Sequence, residues 1–260
     1  MSEIDTQNPG DPAYLQIEGA IATITLNRPE SYNAINIEMA RQLEALALSV
    51  EASEGVHVLI IRGAGKAFCA GGDTKLFIDN RDDLAPPIEE LLKHLNRFLL
   101  ILRRMPKIVL TSVHGAVAGA GLSLSSMGDL CVAAATTRFH PAYAQIGVSP
   151  DAGGTIGMVR LLGPRRALQM FLSETAFDCE QAERMGLVTK AFPEEELENR
   201  TQEYAESLAE LSPAVLEETK KLIWQSTEKP LADQLESEMC SIIRCMETEQ
   251  FKKKLEQLSG

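Results

Sequence analysis

Two stretches of this chain, VLIIRG (58–63) and IVLTSVHG (108–115), are continuous apolar runs of strand length. They lack the alternation of a strand with one wet face, so they read as strands buried on both faces of a sheet. Each leads through a small-residue turn, GKAFCAGGD (65–73) or AVAGAG (116–121), toward a helix. A turn of that kind exposes unpaired backbone N–H groups at a helix start, and without bulky side chains a ligand can come close to them. Two such groups from different turns, aimed at one point, would stabilise an oxyanion. Tight helix–sheet packing also selects Gly and Ala, and for either turn alone it accounts for the composition better. Neither turn is a P-loop, and neither fits GxGxxG with its acidic partner.

The rest of the chain fits around these units. YLQIEGAIATITLN (14–27) alternates about Glu18-Gly19 and reads as a hairpin. Met39, Leu43, Leu46 and Val50 have helical spacing over 37–53, and Leu91, Leu92, Leu95, Leu99 and Leu102 over 88–105. A helix over 119–128 and a strand over 129–135 follow. Alternating strands and helices imply a layered α/β fold. Beyond Arg160 the pattern turns helical, over 164–173, 178–185, 193–210, 213–226 and 230–256 with a break, and VTKAF (188–192) is the one late strand candidate. The expected organisation is a disordered tail (1–12), an α/β core (13–195) and a helical C-terminal region (196–260) whose apolar faces pack on the core or on a neighbouring subunit.

The 260 residues carry a net charge of −12, and the longest basic run is Lys252-Lys253-Lys254. A nucleic-acid partner is therefore not expected. Five scattered cysteines without CxxC fit reduced thiols in the cytoplasm. Cys69 lies in the first small-residue turn, but no motif gives it a histidine partner for nucleophilic work. The polar start MSEIDTQNPGDP has no signal or transit character, and no apolar run approaches a membrane span.

ITLNRPESYNAIN (24–36), FCAGGD (68–73), VHGAVAGAGLSL (113–124) and IGVSPDAGGT (146–155) resemble, in order and spacing, the four signature segments of the crotonase (enoyl-CoA hydratase/isomerase) family. AERMGLVTKAFP (182–193) resembles its next segment. The resemblance covers about residues 13–225. It implies a crotonase-like ββα spiral core with an α-helical C-terminal part, an acyl-CoA thioester as substrate, no cofactor beyond that coenzyme A, no metal, and a homotrimer or dimer of trimers with the C-terminal helices at the interface and closing the site. It places the two oxyanion-hole N–H groups on Gly72 and Ala120, where the family usually has glycine at the second position. Arg28, Ala70, Asp73 and Lys75 become candidates for the CoA nucleotide, and Asp73 is equally a cap for the turn that follows it.

The resemblance also separates reactions. A hydratase of this family holds one water between two glutamates, which would fall at Ser123 and Tyr143. Both are absent. Asp151 stands where the typical hydratase has glycine and several family isomerases have aspartate. One carboxylate suffices to move a C=C bond, taking a proton from one carbon and returning it to another while the oxyanion hole carries the dienolate charge. Ile146, Val148 and Pro150 are the apolar neighbours expected to raise its pKa. Asp151 also reads as an N-cap for a helix beginning near Ala152. Tyr143 would line the acyl pocket or donate a hydrogen bond. The related aryl-CoA dehalogenases expect a histidine near position 96, where this chain has Asn96 and the nearest histidine is His94. His57, His114 and His140 read as structural or solvent-facing. The expected activity is an enoyl-CoA isomerase. The alternatives are an enoyl-CoA hydratase or dehydratase and, more remotely, a non-catalytic protein that binds CoA esters or a partner.

Overall fold

The computed structural model describes residues 10–173 and 176–258. The elements in chain order are β1 (Ala13–Glu18), β2 (Ile21–Leu26), α1 (Ile37–Ala52), β3 (Val58–Gly63), α2 (Thr74–Asp79), α3 (Ala85–Arg104), β4 (Ile108–Val113), β5 (Ala116–Ala118), α4 (Ala120–Met127), β6 (Leu130–Ala134), β7 (Arg138–His140), α5 (Tyr143–Ile146), α6 (Gly154–Leu162), α7 (Pro164–Ser173), β8 (Phe177–Asp178), α8 (Cys179–Arg184), β9 (Lys190–Phe192), α9 (Leu197–Ala209), α10 (Pro213–Gln225), α11 (Leu231–Met246) and α12 (Glu249–Leu258).

The main sheet has the order β1-β2-β3-β4-β6-β9, with β1 antiparallel to β2 and every other neighbour parallel. The continuous apolar runs follow from burial on two sides. Leu59 and Ile61 of β3, and Val109 and Val113 of β4, face a large core under α1 and α3. Val58, Ile60 and Leu110 face a smaller core covered by Leu197 and Ala205 of α9. Each fully buried aliphatic side chain contributes about 1.5–3 kcal/mol. Against the larger core, α1 turns Met39, Leu43, Leu46 and Val50, and α3 turns Leu91, Leu95, Phe98, Leu99 and Leu102. Asn36 starts α1 by accepting a hydrogen bond from the Met39 N–H at 2.8 Å.

A second sheet, β5-β7-β8, was not expected from the sequence. Its strands have two or three residues, too few to show periodicity, and it is held partly by stacked rings of Phe139 and Phe177 (5.3 Å). Residues 1–9 of the expected tail lie outside the described residues. At its end the carbonyls of Asp11 and Pro12 accept hydrogen bonds from Asn27. The helical region beginning at 196 is not uniform. α9 is a layer of the core, and α10 is tied to it by Lys220, whereas α11 and α12 leave Leu235, Met239, Ile242, Ile243 and Leu255 exposed. Among the described residues no helix is long and apolar enough to cross a membrane, and no group of three or more His, Cys, Asp or Glu could hold a metal ion.

Candidate active site

The two small-residue turns lie side by side. Phe68 N–H donates to His114 O (2.8 Å), Cys69 N–H to Ala116 O (3.3 Å), and Ala118 N–H to Cys69 O (2.9 Å). The backbones approach so closely that a Cβ on Gly121 would stand 2.4 Å from the Cys69 carbonyl oxygen, and one on Gly115 2.0 Å from that of Lys66. Packing therefore explains these two glycines. Gly71 (φ +102°) and Gly119 (φ +49°) serve a second purpose, since each turns the chain through a conformation closed to most residues. A Cβ on Gly71 would lie 3.5 Å from the Ala120 nitrogen, so the ends of the two turns adjoin. Among the described residues neither the Gly72 nor the Ala120 N–H donates a hydrogen bond. Ala120 opens α4 and has no positive φ; Gly119 takes the unusual conformation, so alanine at 120 keeps its N–H without strain.

The segment 27–36 fixes the first turn from below. Asn33 is fully buried with φ 56°. Its amide donates to the carbonyls of Ala64 and Ala67, both at 2.8 Å, and accepts from the Arg28 N–H at 2.9 Å. Sequence reasoning gave Asn33 no role. The available signal was that Asn tolerates the left-handed region and can replace backbone partners. Arg28 and Asp73 pair with each other at 2.8 Å, while Arg28 also donates to Ala34 O and Asp73 accepts from Lys75 N–H at 3.0 Å as the cap of α2. Ala70 and the Lys75 side chain are exposed beside them. Cys69 is buried, and burial pushes its thiol up to about 12, which leaves no thiolate for nucleophilic work at neutral pH.

Asp151 lies in the turn before α6. It does not cap that helix: the cap position is Gly153, and no side chain bonds there. Its Oδ1 accepts a hydrogen bond from the Tyr143 hydroxyl at 2.7 Å, and the Tyr143 oxygen lies 2.8 Å from Ser123 Oγ. Ser123 is on the first turn of α4, its N–H donating to Gly119 O. A chain of two hydrogen bonds thus joins Asp151 to the helix that Ala120 opens. Burial raises the Asp151 pKa, and the Tyr143 hydrogen bond opposes the rise. The burial does not come from Ile146 and Val148, which are 62% and 51% exposed and not the apolar wall expected of them. Tyr143 itself is buried, its ring set edge-on against Phe171 at 5.9 Å, and a Cβ on Gly154 would stand 2.2 Å from Ser123 Oγ. Among the described residues no Lys, Arg or His forms an ion pair with Asp151.

The histidines stand apart from this cluster. His94 pairs with Glu44 on α1, His57 lies 3.3 Å from Ala209 O and His114 2.9 Å from Gly65 O. Asn96 lines a surface groove with Leu99, Arg103, Met127 and Gly153.

The sequence profile of the enoyl-CoA hydratase/isomerase family matches residues 16–258. The trans-2-decenoyl-[acyl-carrier-protein] isomerase of Streptococcus mutans is 33% identical over 214 residues, 81% of each chain. The 1,2-epoxyphenylacetyl-CoA isomerase of Escherichia coli is 35% identical over 197 residues, 74% of each chain. The crystal structure of an enoyl-CoA hydratase from Polaromonas sp. JS666 superposes with a TM-score of 0.89 at 27% identity, covering 95% of this chain and 96% of that one. With the paired small-residue turns and the sheet order described above, these similarities establish that the chain is a member of the enoyl-CoA hydratase/isomerase family and has the crotonase fold.

Proposed function

We propose that this family member is an enoyl-CoA isomerase that shifts a C=C bond in an acyl-CoA thioester, with Asp151 as the proton shuttle. The observation that carries the reading is the state of Asp151: a half-buried carboxyl group, free of helix-capping duty and of any cation, with its pKa raised by burial. Ser123 and Tyr143, where a hydratase would hold a water between two glutamates, are instead bonded to each other, and Tyr143 donates to this carboxylate.

The thioester oxygen sits on the N–H groups of Gly72 and Ala120. Asp151 takes a proton from the α-carbon, the electron pair delocalises onto the thioester oxygen as a dienolate, and Asp151 returns the proton to the γ-carbon. The double bond moves from the β,γ to the α,β position, and no water is consumed. The two backbone donors stabilise charge that exists only along this path. Ala70 and Lys75 face the CoA nucleotide, while Arg28 and Asp73 hold the loop that presents them. One relative, named as a trans-2-decenoyl-[acyl-carrier-protein] isomerase, supports the choice of reaction, and another of similar identity is named as a probable enoyl-CoA hydratase. The exposed apolar side chains of α11 and α12 support assembly into trimers, in which a neighbouring copy covers them.

The test is turnover of 3-hexenoyl-CoA and 2-hexenoyl-CoA, followed by absorbance of the conjugated thioester. Wild type should conjugate the 3-enoyl substrate, and Asp151→Asn should lower kcat by about a thousandfold while CoA-ester binding persists. Hydration of the 2-enoyl substrate would select a hydratase instead. Binding without any turnover would select a non-catalytic role.

A further inference from the structure

We infer that Tyr143, held in place by Ser123, is the positioning residue of Asp151, orienting its carboxylate and setting the pH at which it becomes a base. The inference rests on the isomerase reading above and concerns the same site.

The direction of each hydrogen bond follows from counting protons. Tyr143 has one hydroxyl hydrogen, and an ionised Asp151 can only accept, so that hydrogen lies on the 2.7 Å contact to Oδ1. Ser123 Oγ must then donate to the phenol oxygen across its 2.8 Å contact. Burial and the adjacent carboxylate push the Tyr143 pKa above its ordinary value, so the phenol keeps its proton throughout the working range and is a permanent donor. It cannot replace a glutamate as a base.

The backbone is arranged for this contact at visible cost. Ala142 (φ 62°), directly before Tyr143, and Ala152 (φ 47°), directly after Asp151, both adopt the left-handed conformation that alanine avoids. Strained alanines flanking both partners aim the two side chains at each other. Gly154 leaves the space that the Ser123 hydroxyl occupies. Tyr143 is also the titratable group that acts on Asp151 from the surrounding elements. α4 carries none, Arg160 of α6 pairs with Glu228, Arg165 and Arg166 of α7 are exposed, and among the described residues His140 before α5 forms no ion pair with the carboxylate.

A charge-assisted donor favours the carboxylate form and opposes burial, so without it Asp151 holds its proton to higher pH. Tyr143→Phe keeps the ring and its packing on Phe171 and removes only the hydroxyl. For 3-hexenoyl-CoA, the acidic limb of the kcat/KM profile should move up by about one pH unit. At high pH kcat should fall about tenfold while KM changes by less than about twofold. Ser123→Ala should move the limb the same way by a smaller amount. In the free protein, a carboxyl-carbon NMR titration, with Asp151→Asn identifying the resonance, should show the same upward shift in Tyr143→Phe. An unmoved resonance and an unmoved acidic limb would overturn the inference and leave Tyr143 as core packing. Full activity in Asp151→Asn would instead remove Asp151 as the proton shuttle, and failure of wild type to conjugate 3-hexenoyl-CoA would overturn the isomerase reading, which separates the failures.

Discussion

Asp129 and Asp151 are both largely buried aspartates at the ends of short loops, and they are surrounded very differently. Asp129 faces a cation. Lys220 Nζ lies 2.8 Å from Oδ2 while also donating to the carbonyls of Leu102 and Lys107, Trp224 Nε1 donates to Oδ1 at 2.7 Å, and the Val109 N–H donates to Oδ2 at 2.8 Å. Arg103 stacks on the other side of the Trp224 ring at 3.2 Å. Asp151 accepts from the neutral phenol of Tyr143 and has no ion pair among the described residues. An acid held by an ammonium and two further donors joins α10 to the sheet. An acid with neutral donors, whose pKa burial raises, is a stronger base than an exposed carboxylate, which is what proton transfer requires. The same side chain is an anchor in one place and, in the proposed function, a reagent in the other, and the partner decides which.

This contrast can be broken in several places. The largest stability effect belongs at the anchor. Lys220→Met should cost about 3–5 kcal/mol, because it leaves the Asp129 charge buried without its partner. Denaturant midpoints would measure it, and a loss below about 1 kcal/mol would show that Asp129 does not depend on the ammonium. Asp151→Asn should do the reverse, changing stability by less than about 1 kcal/mol while removing turnover, since it deletes a charge whose burial is unfavourable. A large loss of stability there would make Asp151 an anchor too.

The smallest effect expected is at a second cation-paired acid. Glu218 on α10 accepts from both Arg244 guanidinium nitrogens at 2.7 Å and from Ser241, and these bonds, Arg244 foremost, hold its carboxyl at about 2 against burial. Its folded pKa is depressed, so the stabilisation is complete above the ordinary carboxylate value of 4.5 and is lost as pH falls from there toward 2. Arg244 is half-exposed, and Arg244→Ala should lower the denaturant midpoint slightly near neutral pH. Stability curves of wild type and variant should converge on acidification, and parallel curves would show that the pair contributes nothing.

Much of the fold was legible because burial on two faces leaves a direct trace. VLII and IVL are uninterrupted for that reason, and the stripes of α1 and α3 show their 3.6-residue period. The β5-β7-β8 sheet was not legible, since segments of two or three residues carry no period. In the site, the small-residue turns and Asp151 could be picked out from residue type and motif order. Neither the fit of Asn33 under the first turn nor the two left-handed alanines beside Tyr143 and Asp151 could, because backbone angles and carbonyl partners have no letter of their own. The apolar neighbours expected of Asp151 were named from adjacency in the chain, and Ile146 and Val148 proved to face outward.

By itself the sequence determined the layered α/β core, the family, the bare backbone of the two turns, and the absence of glutamate at 123 and 143. Those properties reside in local composition and motif order, which a chain displays without folding. Only the tertiary structure decided that Tyr143 donates to Asp151, that Arg28 and Asp73 are engaged with each other, and that Lys220 meets Asp129. Each depends on distances that the folded backbone sets between groups 8 to 91 residues apart, and hydrogen bonds and charge pairing change sharply over an ångström.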